Sequence, residues 1–128
     1  METTKVMRPR KKQLIFKGES GCTTLKDNEV YSSVKVGNMK FALHNFREVD
    51  GHDDTFPYVG DLFCNGEKIC HCFNDGWGGT TSMEVYNKSL FNFVKDKVMN
   101  YKWKEEKYPY EIELTIDFIA DTLACCKS

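Results

Sequence analysis

The sequence predicts an α+β fold: a single antiparallel sheet of four or more strands, with two C-terminal helices packed on one face. Three observations carry this. Asn65-Gly66 stands between two short runs rich in apolar residues, the preferred signal for a two-residue hairpin. A second pair of alternating runs meets at Gly37-Asn38. Apolar residues in the last third recur at three- and four-residue steps, as on a helix buried along one stripe.

Gln13 to Lys17 is a short apolar patch that starts a strand, and Gly18 to Asn28 is a polar loop. Glu29–Val36 and Met39–Val49 form a hairpin, with Met39, Phe41, Leu43 and Asn45 on one face and Lys40, Ala42, His44 and Phe46 on the other. Asp50 to Asp54 is an acidic loop. Tyr58–Cys64 and Glu67–Phe73 form the second hairpin. A plain two-residue register sets Leu62 against Ile69 and Tyr58 against Phe73, with Val59, Phe63, Cys70 and Cys72 on the other face. Thr81 followed by Glu84 matches the capping box, so a helix is expected from there to about Tyr101, with Leu90, Phe91, Val94, Val98 and Tyr101 as its inward stripe. Tyr101 to Tyr108 reads as a connector ended by Pro109. From Tyr110 to Phe118 strict alternation fits a strand, but Ile112, Ile116, Ile119, Leu123 and Cys126 also fit a helix. The composition of residues 119–124 favours a helix from about Ile112 to Cys126.

The 128 residues suit one domain and exclude a TIM barrel or a two-domain dinucleotide enzyme. The 17 aromatics (9 Phe, 6 Tyr, 2 Trp) suffice for a core. The net charge of -1 is uneven: Lys5, Arg8, Arg10, Lys11, Lys12 and Lys17 against Glu2 give residues 1–17 a charge of +5, leaving -6 on the remaining 111. The expected organisation is a basic arm over residues 1–12 and one domain over 13–128. No apolar segment precedes a small-residue cleavage site near the start, so the expected compartment is cytoplasmic and the six cysteines are expected as reduced, buried thiols.

Chemistry-bearing motifs are sparse. Cys64, Cys70, His71 and Cys72 lie close in sequence without the paired spacing of a zinc site, and alternation sends His71 to the face opposite Cys70 and Cys72. The cysteines and His44, His52 and His71 fit no nucleophile motif. The expectation is therefore no catalytic residue, no metal and no cofactor. Asp75 to Ser82 is glycine-rich but lacks the lysine of a phosphate loop, and Trp77 at its centre is suited to anchoring a partner. On a helix from Ile112, the carboxylates of Glu113, Asp117 and Asp121 stand at i, i+4 and i+8. Such a ridge is mildly self-repelling and is placed to meet a basic surface.

The run Asp61-Leu62-Phe63-Cys64-Asn65-Gly66-Glu67-Lys68, followed by Asn74-Asp75-Gly76-Trp77-Gly78-Gly79, resembles small accessory proteins of phages and prophages over about residues 39–100. In those, a strand, Asn/Asp-Gly, Lys, strand hairpin leads into a glycine-rich turn and then helices. The resemblance supplies no catalytic residues. It implies a non-enzymatic protein of a mobile element in the host cytoplasm, of the anti-CRISPR-like kind that blocks a host defence nuclease by direct binding. Trp77, Glu113, Asp117 and Asp121 are the expected partner contacts. The alternative is a small nucleic-acid-binding protein using Arg8, Arg10, Lys11 and Lys12 together with Lys102, Trp103 and Lys104, where cations interleave with an aromatic ring.

Overall fold

The computed structural model describes residues 12–16, 22–25, 31–49, 57–74, 81–105 and 112–127. Along them run β1 (Lys12–Phe16), β2 (Cys22–Leu25), β3 (Tyr31–Val36), β4 (Met39–Glu48), β5 (Tyr58–Cys64), β6 (Glu67–Asn74), β7 (Ser82–Val85), α1 (Lys88–Val98), β8 (Lys102–Glu105), β9 (Ile112–Glu113) and α2 (Ile116–Lys127). The fold is α+β. Its main sheet has the order β1-β3-β4-β5-β6-β7 and is antiparallel except where β1 runs parallel to β3. A second sheet, β2-β8-β9, was not foreseen; it occupies stretches read as loop, connector and helix start.

Both predicted hairpins form. Asn65 and Gly66 take φ of 51° and 83°, the pair of positive values a type I′ turn needs. The Asn65 side-chain oxygen accepts the Lys40 amide at 2.9 Å, and its own amide donates to the Lys40 carbonyl at 2.8 Å, pinning this turn to β4. Gly37 has φ of 61° at the other turn.

Two bulges correct the expected registers. Between Leu62 and Phe63 the pairing slips, so Leu62 faces Cys70 and Val59 faces Phe73, with Ile69 as the extra residue. Side chains beyond a bulge change face. Ile69, Cys70 and Cys72 are therefore all buried, while Phe73 is turned out at 42% exposure. In β4, Asn45 and Phe46 together span the gap between His44 and Arg47, with Asn45 at φ 55°. Phe46 turns in to lie near-parallel to the Tyr58 ring at 6.1 Å, and Asn45 turns out.

The helix expected from Thr81 starts later. Ser82–Val85 instead extends the sheet by pairing with β6, whose backbone groups need partners. α1 is capped by Asn87, whose side chain accepts the Leu90 amide at 3.1 Å. Phe91, Val94 and Val98 are buried as the stripe predicted. The last helix also starts later, at Ile116, after the two residues of β9. Thr115 accepts the Phe118 amide at 3.3 Å, and Ile116, Ile119 and Leu123 face the core. α2 packs against β3, β4 and β5, and α1 against β6. No helix of the described residues is long and apolar enough to cross a membrane.

Trp103 joins the two sheets. It is 2% exposed, with ring centroids 5.3 Å from Phe16 of β1 and 4.3 Å from Phe118 of α2. A side chain of this size contributes a large share of core burial.

Candidate functional site

The three acids expected on one ridge take three different positions. Glu113 lies in β9 and is exposed. Asp117 lies half-buried in the first turn of α2, where a carboxylate also complements the helix dipole. Asp121 faces inward. Its Oδ1 accepts the Tyr58 hydroxyl at 2.8 Å and the Thr81 hydroxyl at 2.5 Å, and Thr81 Oγ1 in turn accepts from Asn74 Nδ2 at 3.2 Å. The ridge does not form because the helix begins after Glu113, and because α2 must offer a polar group to the buried Tyr58. Burial raises the pKa of Asp121, partly offset by its two hydrogen bonds, and the nearby charge of Asp117 adds to the rise. Burial also pushes the Tyr58 hydroxyl well above its usual range, with Asp121 adding to the effect. Thr81, expected as a helix cap, is thus a strut between the start of β7 and α2.

Glu113 and Asp117 do share a feature that sequence reading missed. They lie on a cleft of about 360 Å³ between α1, β7 and the β9–α2 junction, lined also by Met83, Phe91, Met99, Leu114 and Ile116. The size is that of a small-ligand or side-chain pocket. Two methionines give it an adaptable wall, and Met99 is 48% exposed. Lys95 is the basic residue on its lining. Among the described residues neither Glu113 nor Asp117 has an ion-pair partner.

On the opposite side of β5 and β6 lies a polar centre. Asp61 Oδ1 is 2.7 Å from His71 Nδ1 and 3.5 Å from Lys68 Nζ, and Asp61 Oδ2 accepts from Asn45 Nδ2 at 2.8 Å. Partial burial works to raise the Asp61 pKa, but hydrogen bonds from His71 and Asn45 and the charge of Lys68 outweigh it and lower the value. Asp61 faces His71 across the strands because the Ile69 bulge shifts the register. His71 points away from Cys70 and Cys72, as alternation predicts. Those two thiols are buried, 3.8 Å apart. Their mutual contact and burial together push the Cys72 thiol above its usual range. An imidazole-carboxylate pair and a thiol pair thus stand back to back with the sheet between them.

The remaining expected residues fall in two groups. Trp77, Arg8, Arg10 and Lys11 lie outside the described residues, while Lys12 opens β1 and is exposed. Lys102 and Lys104 lie on β8, but Trp103 between them is buried, so its ring is not presented for stacking on a base. Its indole nitrogen has no hydrogen-bond partner among the described residues. No protein-family model, curated protein or solved structure matches the chain.

Proposed function

We propose that this chain is a non-enzymatic protein-binding module of the phage-accessory kind, and that it takes a basic partner at the cleft between α1 and the β9–α2 junction. The observation that supports this is the cleft of about 360 Å³, apolar at Met83, Phe91, Met99, Leu114 and Ile116 and acidic at Glu113 and Asp117. An apolar side chain of the partner fills the cleft, and flanking Lys or Arg residues meet the two carboxylates. This division of labour, an apolar centre with a charged rim, is common at interfaces. A nucleic-acid-processing host enzyme has the basic surface that fits, and occupation of that surface inhibits it. Asp121, engaged by Tyr58 and Thr81, supports the floor of α2 rather than meeting the partner.

The test starts with cross-linking in host lysate to name the partner, followed by calorimetry with purified proteins. Glu113→Lys with Asp117→Lys is expected to weaken binding by tenfold or more and to slow association. Met99→Glu is expected to weaken it further. Unchanged affinity in both variants refutes this site.

A further inference from the structure

We propose that the open face of the main sheet, on the side of Asp61 and His71, binds single-stranded nucleic acid. The reading is independent of the cleft, which lies elsewhere on the molecule.

The outward side chains follow from the registers. Lys35 pairs with Lys40, Ala42 with Phe63 and Phe63 with Lys68. His44 pairs with Asp61, Asp61 with His71 and His71 with Glu84, and Arg47, Val59, Phe73 and Ser82 form the next row. These positions share the face that α1 and α2 leave uncovered. Phe73 is 42% exposed, and Tyr86, just beyond β7, is 71% exposed with Lys68 Nζ 5.0 Å from its ring centroid. The His44 ring stands edge-on to Phe63 at 4.6 Å. Phe73 on β6 and Tyr86 just past β7 thus leave two large rings in water, one on each of two paired strand ends. A flat face with exposed rings and interleaved cations is the chemistry on which bases stack while phosphates are held.

Charge chooses the occupant. Among the described residues this face carries Lys35, Lys40, Arg47 and Lys68, besides His44 and His71, against Asp61 and Glu84. Asp61 is already engaged by His71, Lys68 and Asn45. Lys35, Lys40 and Arg47 have no carboxylate within ion-pair distance among the described residues. The face is thus basic on a chain of net charge -1. Lys68 and Phe73 lie opposite Phe63 and Val59, four positions apart on β5, roughly 13 Å at about 3.3 Å per residue, room for more than one base.

The experiment is fluorescence anisotropy of the full chain with a labelled oligothymidine or oligouridine of about 15 nucleotides, a length at the upper end of common site sizes. Saturable binding is expected at low salt. Its logarithm should fall with log salt at a slope near -2, as for about three phosphates at roughly -0.7 each. Phe73→Ala with Tyr86→Ala should weaken it at least tenfold without changing the circular dichroism spectrum. Arg47→Gln should reduce the slope by about 0.7, and Met99→Ala in the cleft should leave it unchanged. The proposal is overturned if neither oligonucleotide binds at low salt, or if a duplex binds equally well. It is also overturned if the aromatic pair can be removed at no cost, or if substitutions on this face abolish binding of a protein while no oligonucleotide binds.

Discussion

Asp121→Asn is the most direct test of how α2 is fastened to the sheet. The carboxyl accepts the hydroxyls of Tyr58 and Thr81 from within the fold, and burial raises its pKa against the pull of those two bonds. A raised value in the folded state means that an uncharged side chain suits this position better than a carboxylate. The stability that Asp121 contributes is therefore complete below its unfolded pKa, near 3.9, and is lost as pH rises through the folded value. Asn keeps an acceptor oxygen for both hydroxyls and brings no charge inside. Asp121→Asn should match the wild type below about pH 4 and exceed it at pH 7, by about 1.4 kcal/mol for each unit of the rise. Asp121→Leu keeps the bulk but removes the acceptor, at about 1–3 kcal/mol for each hydroxyl. Its melting temperature should fall by at least about 6 °C, taking roughly 3 °C per kcal/mol for a domain of this size. Urea unfolding of the three proteins between pH 4 and pH 8 checks this. The difference between variant and wild type isolates Asp121 from Asp61, whose lowered pKa acts in the opposite direction. An Asn variant as unstable as the Leu variant at pH 7, or a difference that does not move with pH, refutes the reasoning.

Asp61→Asn should cost about 1–3 kcal/mol at pH 7, as for a hydrogen-bonded charge. Because the folded pKa of Asp61 is lowered, that cost is fully present above the usual carboxylate value of about 3.9 and should shrink as pH falls from there through the folded value; a cost that grows or stays constant on acidification in urea melts contradicts the assignment. Gly60→Ala places a methyl 2.9 Å from Leu43 Cδ1, inside van der Waals contact, and should lower stability by about 1–3 kcal/mol by overpacking; a neutral urea midpoint shows that Leu43 has room to move. Trp103→Phe should cost clearly less than the roughly 3–5 kcal/mol of Trp103→Ala, since it removes an indole N–H that has no partner among the described residues while keeping a ring between Phe16 and Phe118. Equal losses in thermal melts of the two variants count against that view.

What was legible in the sequence was local. Asn65-Gly66 and Gly37 specify their turns by backbone conformation alone, so both hairpins could be read before any contact was known. The inward stripes of α1 and α2 follow from a period that needs no partner. What could not be read depends on pairing at a distance. The Ile69 bulge has no sequence mark, yet it exchanges Phe73 for Cys70 on the buried face and creates the Asp61–His71 pair. Thr81 to Glu84 carries a capping-box pattern, but the open backbone of β6 outweighs a cap contribution of about 1 kcal/mol and Ser82–Val85 pairs with it as a strand. Lys102–Glu105 looks like a charged connector because three of its four residues are charged, and no sequence pattern ties it to the partner strands of that small sheet.

The same bulge decides which chemistry-bearing side chains meet solvent. Without it, the plain register would turn Cys70 and Cys72 outward, Cys70 opposite Asp61 on β5, and would turn His71 and Phe73 inward. The extra residue sends both thiols inward, where burial raises Cys72, and leaves Asp61 and His71 outside with Lys68 and Asn45 as neighbours. A histidine hydrogen-bonded to a carboxylate acts as a base only on a group that stands within hydrogen-bonding reach. Around this pair the neighbouring outward side chains are Val59, Phe63, Phe73, Glu84 and Arg47, with the Ser82 hydroxyl opposite Phe73 in the next row. Under the proposed binding, a ligand on that face meets Asp61 and His71 already joined at 2.7 Å, and a pair ordered beforehand costs less entropy on docking.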